Sequence, residues 1–136
     1  MKEENKILSL TFDFSLEIIN LYKLLIRHNE YVMSKQLLRS ATSIGANIEE
    51  ANAAQTKKEF IQRMSIASKE ARETKYWLRL LDKSQIIQYD YTEYLMKIEH
   101  IINILTKIVK TSQESITNNY VRAWNRLTKN KTVNYE

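Results

Sequence analysis

Residues 34–81 read SKQLLRSATSIGANIEEANAAQTKKEFIQRMSIASKEARETKYWLRLL, and the apolar positions of this stretch decide the fold. They form two consecutive rows. Leu37, Ala41, Ile44, Ile48 and Ala51 recur at spacings of four and three, and Phe60, Met64, Ala67, Ala71, Thr74, Leu78 and Leu81 do the same. That spacing lines one side of an α-helix. The rows meet at Thr56, which stands three residues before Glu59 as in a capping box and so opens the second helix after a turn of a residue or two. Ala41, Gly45 and Ala51 on one helix and Ala67 and Ala71 on the other leave room for close backbone approach, which predicts an antiparallel helix pair. Gly45 costs about 1 kcal/mol against alanine inside a helix, so it is expected to mark a helix-crossing point.

N-terminal to this pair, Phe14, Ile18, Leu21 and Leu25 form the core row of a helix expected from about Ser9 to Arg27 or His28. A second row, Phe12, Leu16, Ile19, Tyr22 and Ile26, makes that helix apolar around more than half its circumference. One bundle core cannot hide so much, and the surplus predicts a subunit interface. Asn29–Met33 interrupts the pattern. Ser34 is then the predicted N-cap of the second helix, with Met33 and Leu38 at the positions of a hydrophobic staple, and that helix is expected to end near Ala54.

The third helix is expected to reach about Lys83, followed by a loop over Ser84–Tyr89. Asp90 with Glu93 repeats the capping-box spacing and Tyr89 with Tyr94 the staple, so a fourth helix is expected from Tyr91. Its core row is Tyr91, Leu95, Ile98, Ile102, Leu105 and Val109, widened by Tyr94, Ile101, Ile104 and Ile108. After Lys110 come Thr111, Ser112, Gln113, Ser115, Thr117, Asn118 and Asn119, residues that compete with the helix backbone for hydrogen bonds. The bundle is therefore expected to occupy 1–115. Residues 116–136 read as a basic C-terminal tail or a short amphipathic helix built on Ile116, Tyr120, Ala123 and Leu127, with Arg122, Trp124, Arg126, Lys129 and Lys131 around them.

A chain of 136 residues with one glycine and no proline is one domain without a flexible linker. Its formal charge of +5 is unevenly spread: residues 1–56 carry 6 Lys/Arg and 7 Asp/Glu, whereas residues 57–136 carry 15 and 9. The basic half suits a polyanionic partner. No cysteine is present, which excludes disulfides, thiolate metal sites and a cysteine nucleophile. Met1–Lys6 is charged with both signs and no long apolar run follows, so it reads as neither a signal peptide nor a membrane span, and the cytoplasm is the expected location.

The chemistry of catalysis is thinly represented. His28 and His100 are the only imidazoles, and neither lies in a Glu-x-x-His pair of the kind that builds di-iron sites in bundles. No Gly-x-Ser-x-Gly and no glycine-rich phosphate loop occurs. Neither an enzyme, a metal nor a cofactor is expected. Arg39, Ser43, Asn47 and Glu50 stack along one side of the second helix. They read as a polar network at a helix or subunit interface, with Asn47 fixing its register, ahead of a ligand site. On the third helix Lys58, Gln62, Ser65, Lys69, Arg72, Tyr76, Arg79 and Lys83 form a basic row opposite its apolar one. Such a row binds phosphates through its charges and stacks a base on the tyrosine. Equally, it is a solvated face partly neutralised by Glu59, Glu70 and Glu73. Arg122, Arg126, Lys129 and Lys131 form a competing cationic patch in the tail.

Gln36–Ala51, QLLRSATSIGANIEEA, also resembles the signature of the small four-helix bundle proteins encoded in 23S ribosomal RNA intervening sequences. The resemblance continues through Lys57–Phe60, Ser65–Ala67 and Glu70–Leu81. It implies an up-down-up-down four-helix bundle and a homo-oligomer, typically a ring-shaped pentamer, in which a repeated basic row would bind nucleic acid by avidity. RNA is the favoured ligand because the family genes lie in ribosomal RNA insertions. The accessory variability proteins of diversity-generating retroelements are a related branch, which implies the alternative of a protein adaptor that partners a reverse transcriptase. The expected assembly has a solution mass well above the 16.2 kDa of one chain. Light scattering that returned a monomer at every dilution would remove both the ring and the avidity.

Overall fold

The computed structural model describes the backbone of residues 2–132 and the side chains of residues 6–129. The chain forms four α-helices, α1 (Lys2–Arg27), α2 (Met33–Asn52), α3 (Lys57–Ser84) and α4 (Thr92–Thr132). Each packs against the next and α4 closes back on α1, around a single core. The cross-helix partners give the directions. Arg39 of α2 meets Glu70 and Glu73 of α3 while Glu50 meets Arg63, so residue numbers rise on one helix as they fall on the other. Lys75–Glu99 and Lys57–Ser115 relate α3 and α4 in the same way, and Lys97–Glu17 ties α4 to α1. The result is an all-α antiparallel bundle. Among the described residues no helix is long and apolar enough to cross a membrane.

The centre is the predicted pair. Leu37, Ala41, Ile44, Ile48 and Ala51 are buried on α2, facing Met64, Ala67, Ala71, Thr74, Leu78 and Leu81 of α3, with Phe60 half-buried at one end. Within this seam the buried hydroxyls of Ser40 and Thr74 are hydrogen-bonded across the two helices at 2.9 Å. Each hydroxyl also bonds its own helix, Ser40 to the Leu37 carbonyl at 3.2 Å and Thr74 to the Glu70 carbonyl at 2.8 Å, and the contact between them favours this register of the two helices. At Thr56 the expected cap is present: the Glu59 N–H donates to Thr56 Oγ1 at 3.1 Å, while the Glu59 carboxylate accepts from the Gln55 N–H at 3.3 Å. The reciprocal bond therefore falls one residue earlier than in a standard capping box.

Several boundaries differ from the sequence expectation. α1 begins at Lys2 rather than Ser9, because Ile7 and Thr11 extend the row of Phe14 and Ile18 and are buried with it. Ser34 does not cap α2. The helix starts at Met33, and Glu30 caps it from outside: its carboxylate accepts from the N–H groups of Val32, Met33 and Ser34 at 3.1, 2.9 and 2.6 Å. Ser34 instead donates its hydroxyl to the Glu30 carbonyl at 2.7 Å. A carboxylate at a helix N-terminus also meets the positive end of the dipole. α3 ends one residue later than expected, closed by Gln85 in the left-handed region at φ 47°, whose N–H donates to the Leu81 carbonyl.

α4 starts at Thr92, one residue after the expected Tyr91, with its N–H on Asp90 Oδ1 at 3.0 Å. It does not stop near Ser115 but continues to Thr132. Its core row is shifted too. Ile101 and Ile108 are buried, whereas Leu95 and Val109 are half-buried, since the line joining Ile98, Ile101, Leu105 and Ile108 is the one that faces the other helices. Tyr91 is fully buried; burial pushes its phenol up to about 12, with Glu30 adding to the shift, and its hydroxyl donates to the Ile87 carbonyl at 2.9 Å.

Gly45 does lie at a helix crossing, but against α1. A Cβ built there would meet Ser15 Oγ, Thr11 O and Thr11 Oγ1 at 3.7 Å each, which is ordinary contact. Nothing within its own chain therefore requires glycine. Gly45→Ala should raise the unfolding free energy of the single chain by about 0.5–1 kcal/mol, read as a higher urea midpoint at unchanged slope. A lower midpoint would show that the α1–α2 contact is tighter than the geometry says.

Candidate nucleic-acid interface

α3 is 28 residues long, about 42 Å at 1.5 Å per residue, and its outward side is held rigid by the core contacts opposite. Lys58, Lys69, Arg72, Tyr76, Arg79 and Lys83 are all exposed on that side, as their spacing requires. Among the described residues no carboxylate is paired with Lys58, Lys69, Arg72, Arg79 or Lys83. Arg72 leans towards α4 and donates to Thr106 Oγ1 at 3.5 Å. Beside it Lys75 is paired with Glu99 at 2.6 Å.

Three of the four acidic residues of α3 are turned elsewhere, and the fourth, Asp82, stands at its end within reach of Tyr91. Glu59 is occupied at the helix cap, and Glu70 and Glu73 both face Arg39 on α2. Among the described residues none of these three carboxylates is ion-paired with the basic row. The Arg39 hydrogen bond holds the Glu73 carboxyl below the usual carboxylate range, helped by the Trp77 indole N–H that donates to it at 3.4 Å. Glu70, more deeply placed, is raised by desolvation in spite of Arg39. The Arg39 guanidinium is held on the charged side chiefly by its bond to Glu73.

Tyr76 is 52% exposed, and its ring meets Trp77 edge to face at 5.1 Å and 75°. Trp77 is half-buried and tied to Glu73, so the tyrosine stands on a fixed base between Arg72 and Arg79. An aromatic face flanked by cations suits a stacked base with phosphates on either side.

Between α3 and α4 lie two open clefts that the sequence did not disclose, because their walls come from helices far apart in the chain. One, of about 550 Å³, is lined by Lys75, Leu95, Met96, Glu99, His100 and Asn103. The other, of about 460 Å³, is lined by Lys58, Ile61, Gln113, Ile116 and Thr117. His28 is exposed near the end of α1, far along the chain from His100. Among the described residues no three His, Asp or Glu side chains come together as a metal site.

Arg122 and Arg126 are exposed but do not join the row. They follow Lys97 by 25 and 29 residues, about seven and eight turns, and so continue the side of α4 that faces α1. The Lys131 side chain lies outside the described residues. The polar row of α2 separates likewise. Arg39 and Glu50 reach across to α3, as an interface network would, whereas Ser43 and Asn47 bond the carbonyls of Arg39 and Ser43 on their own helix at 2.7 and 2.8 Å. The buried polar contact between α2 and α3 is made by Ser40 and Thr74, and Asn47 bonds its own helix.

The sequence profile described as 23S rRNA-intervening sequence protein matches residues 3–107 of the chain. No curated protein matches it. Among solved structures, a protein of unknown function from the S23 ribosomal protein family of Bacteroides thetaiotaomicron is 44% identical, with a TM-score of 0.75. The match covers 79% of this chain and 98% of that one.

Arg39→Gln should destabilise the bundle by less than about 1 kcal/mol at neutral pH, because the guanidinium is half exposed. A carboxyl whose folded pKa is depressed contributes stability above its unfolded pKa and loses it as pH falls. The difference between wild type and variant should therefore close as pH drops through the carboxylate range, in paired urea titrations at neutral and acid pH. A gap that stays constant would mean that Arg39 acts through packing alone.

Proposed function

The chain belongs to the family of 23S rRNA-intervening sequence proteins, and from that premise we propose that it is a non-enzymatic, homo-oligomeric accessory protein that binds nucleic acid, RNA in preference. The observation that supports this most directly is the α3 row: Lys58, Lys69, Arg72, Arg79 and Lys83 with Tyr76 among them, and Glu59, Glu70 and Glu73 of the same helix engaged elsewhere. Phosphate contacts need several accessible cations on one surface. A rigid helix supplies them without the entropy cost of ordering a tail. In a ring, a pentamer by resemblance to the family, the row is repeated in every subunit and weak sites act together.

A protein adaptor is the second reading, and the exposed apolar side chains of the α4 extension favour it. In that version the assembly docks a partner such as the reverse transcriptase of a diversity-generating retroelement, and nucleic-acid contacts are secondary.

Arg72→Gln with Arg79→Gln should weaken binding of a short RNA, one unable to bridge two subunits, by about 10- to 100-fold and flatten its salt dependence. Deleting residues 116–136 should matter less in the same assay. The measurement is a salt titration of affinity for wild type, double variant and truncation. Loss of binding in the truncation alone would move the site to Arg122 and Arg126. No binding by wild type even at low salt would leave the adaptor reading in its place.

A further inference from the structure

The far end of α4 repeats its own core. Ile116, Tyr120, Ala123 and Leu127 follow Ile98, Ile102, Leu105 and Val109 by eighteen residues each, which is five turns. They therefore continue the side of α4 that carries the buried Ile98, Ile102 and Leu105 and the half-buried Val109. α3 begins only at Lys57, which lies beside Ser115, so the extension runs past it with that side uncovered. Tyr120 is 71%, Leu127 64% and the neighbouring Trp124 67% exposed. The family profile ends at residue 107, before this extension starts.

A second apolar surface is open on the other side of the molecule. The groove between α1 and α2 encloses about 300 Å³, is walled by Leu8, Phe12 and Ala46, and has Gly45 and Thr42 at its base and Glu49 at its rim. Phe12 is 61% exposed there, and Leu16 one turn further along α1 is 49% exposed. Gly45 weakens its helix, yet its own chain leaves ordinary van der Waals room for a Cβ. The space above it serves something outside the chain.

We propose that the α4 extension of one copy docks in the α1–α2 groove of a second copy, with Trp124 seated over Gly45. Charge selects this pairing over two extensions packed on each other. Residues 115–135 contain Arg122, Arg126, Lys129 and Lys131 and no Asp or Glu, so two extensions side by side repel, whereas the groove carries Glu49. α4 is one continuous helix and cannot turn back onto its own groove. The contact is head-to-tail, and such contacts close into rings or propagate. The inference rests on the assembly part of the proposed function and not on nucleic-acid binding.

The test is sedimentation equilibrium of the full chain over a concentration series, with Trp124→Ala, Gly45→Leu, the two combined, and a truncation after Ser115. Trp124 is exposed in the single chain, so its replacement leaves the fold intact, and circular dichroism checks Gly45→Leu. Each single variant and the truncation should lower the association constant at least about tenfold, and the combination should cost no more than one of them, because both remove one contact. In a Trp77→Phe background the Trp124 emission should shift to the blue as the chain associates. A wild type that stays monomeric would overturn the docking together with the assembly reading. An oligomer that the truncation leaves unchanged, or single effects that simply add, would overturn the docking while the assembly stands.

Discussion

The close approach of α2 and α3 is the constraint from which the rest of the structure follows. Alanines at positions 41, 51, 67 and 71 let the two backbones come together, and the Ser40–Thr74 hydrogen bond favours the register observed. That register sets Arg39 opposite Glu70 and Glu73, and Glu50 opposite Arg63. In drawing Glu70 and Glu73 towards α2, it leaves Lys69, Arg72 and Arg79 without a paired carboxylate among the described residues. The electrostatics of the candidate interface is thus a consequence of how the core of the neighbouring seam is packed, two helix faces away.

How much of this was legible in the sequence depends on the range of the interaction. Thr56 with Glu59 is a local signal, and the cap stands where the spacing placed it. The Glu30 cap was not legible as such, because a serine at position 34 satisfies the usual N-cap pattern while a carboxylate reaching three N–H groups from four residues upstream has no fixed signature. The end of α4 was only partly legible, since residues 116–136 read equally as a tail or a short amphipathic helix, and α4 runs on unbroken to Thr132. Residues 111–119 are individually poor helix formers, but a helix already nucleated propagates at small cost per residue, and the eighteen-residue repeat of the seam past Ser115 carried the helical period through them. Periodicity was the stronger signal and propensity the weaker one.

The candidate site divides in the same way. Which residues of α3 face outward follows from spacing alone, and all six stand where it puts them. Whether their charge is free could not be read, because the decisive partner, Arg39, lies 31 residues from Glu70 in sequence and arrives only through the fold. Asn47 has the size and polarity of a register-setting residue, yet its bond is to its own helix, whereas the smaller Ser40 and Thr74, which also bond their own helices, meet each other across the seam. Buried small hydroxyls are hard to see in a sequence because they occupy positions that alanine would fill equally well.

The order of the helices around the core has one more consequence. α1 packs on α2, α2 on α3 and α3 on α4, with α4 returning to α1, so the α1–α2 side and the α3–α4 side are opposite walls of the bundle. The basic row leans towards α4, as the Arg72–Thr106 bond shows, and the apolar groove over Gly45 opens on the wall behind it. A surface used for association and one used for a polyanion normally conflict, since like charges brought together by assembly oppose it. The α3 cations lie on the wall that docking in the groove would leave open, whereas the cations of the α4 extension would be the ones that meet Glu49 there.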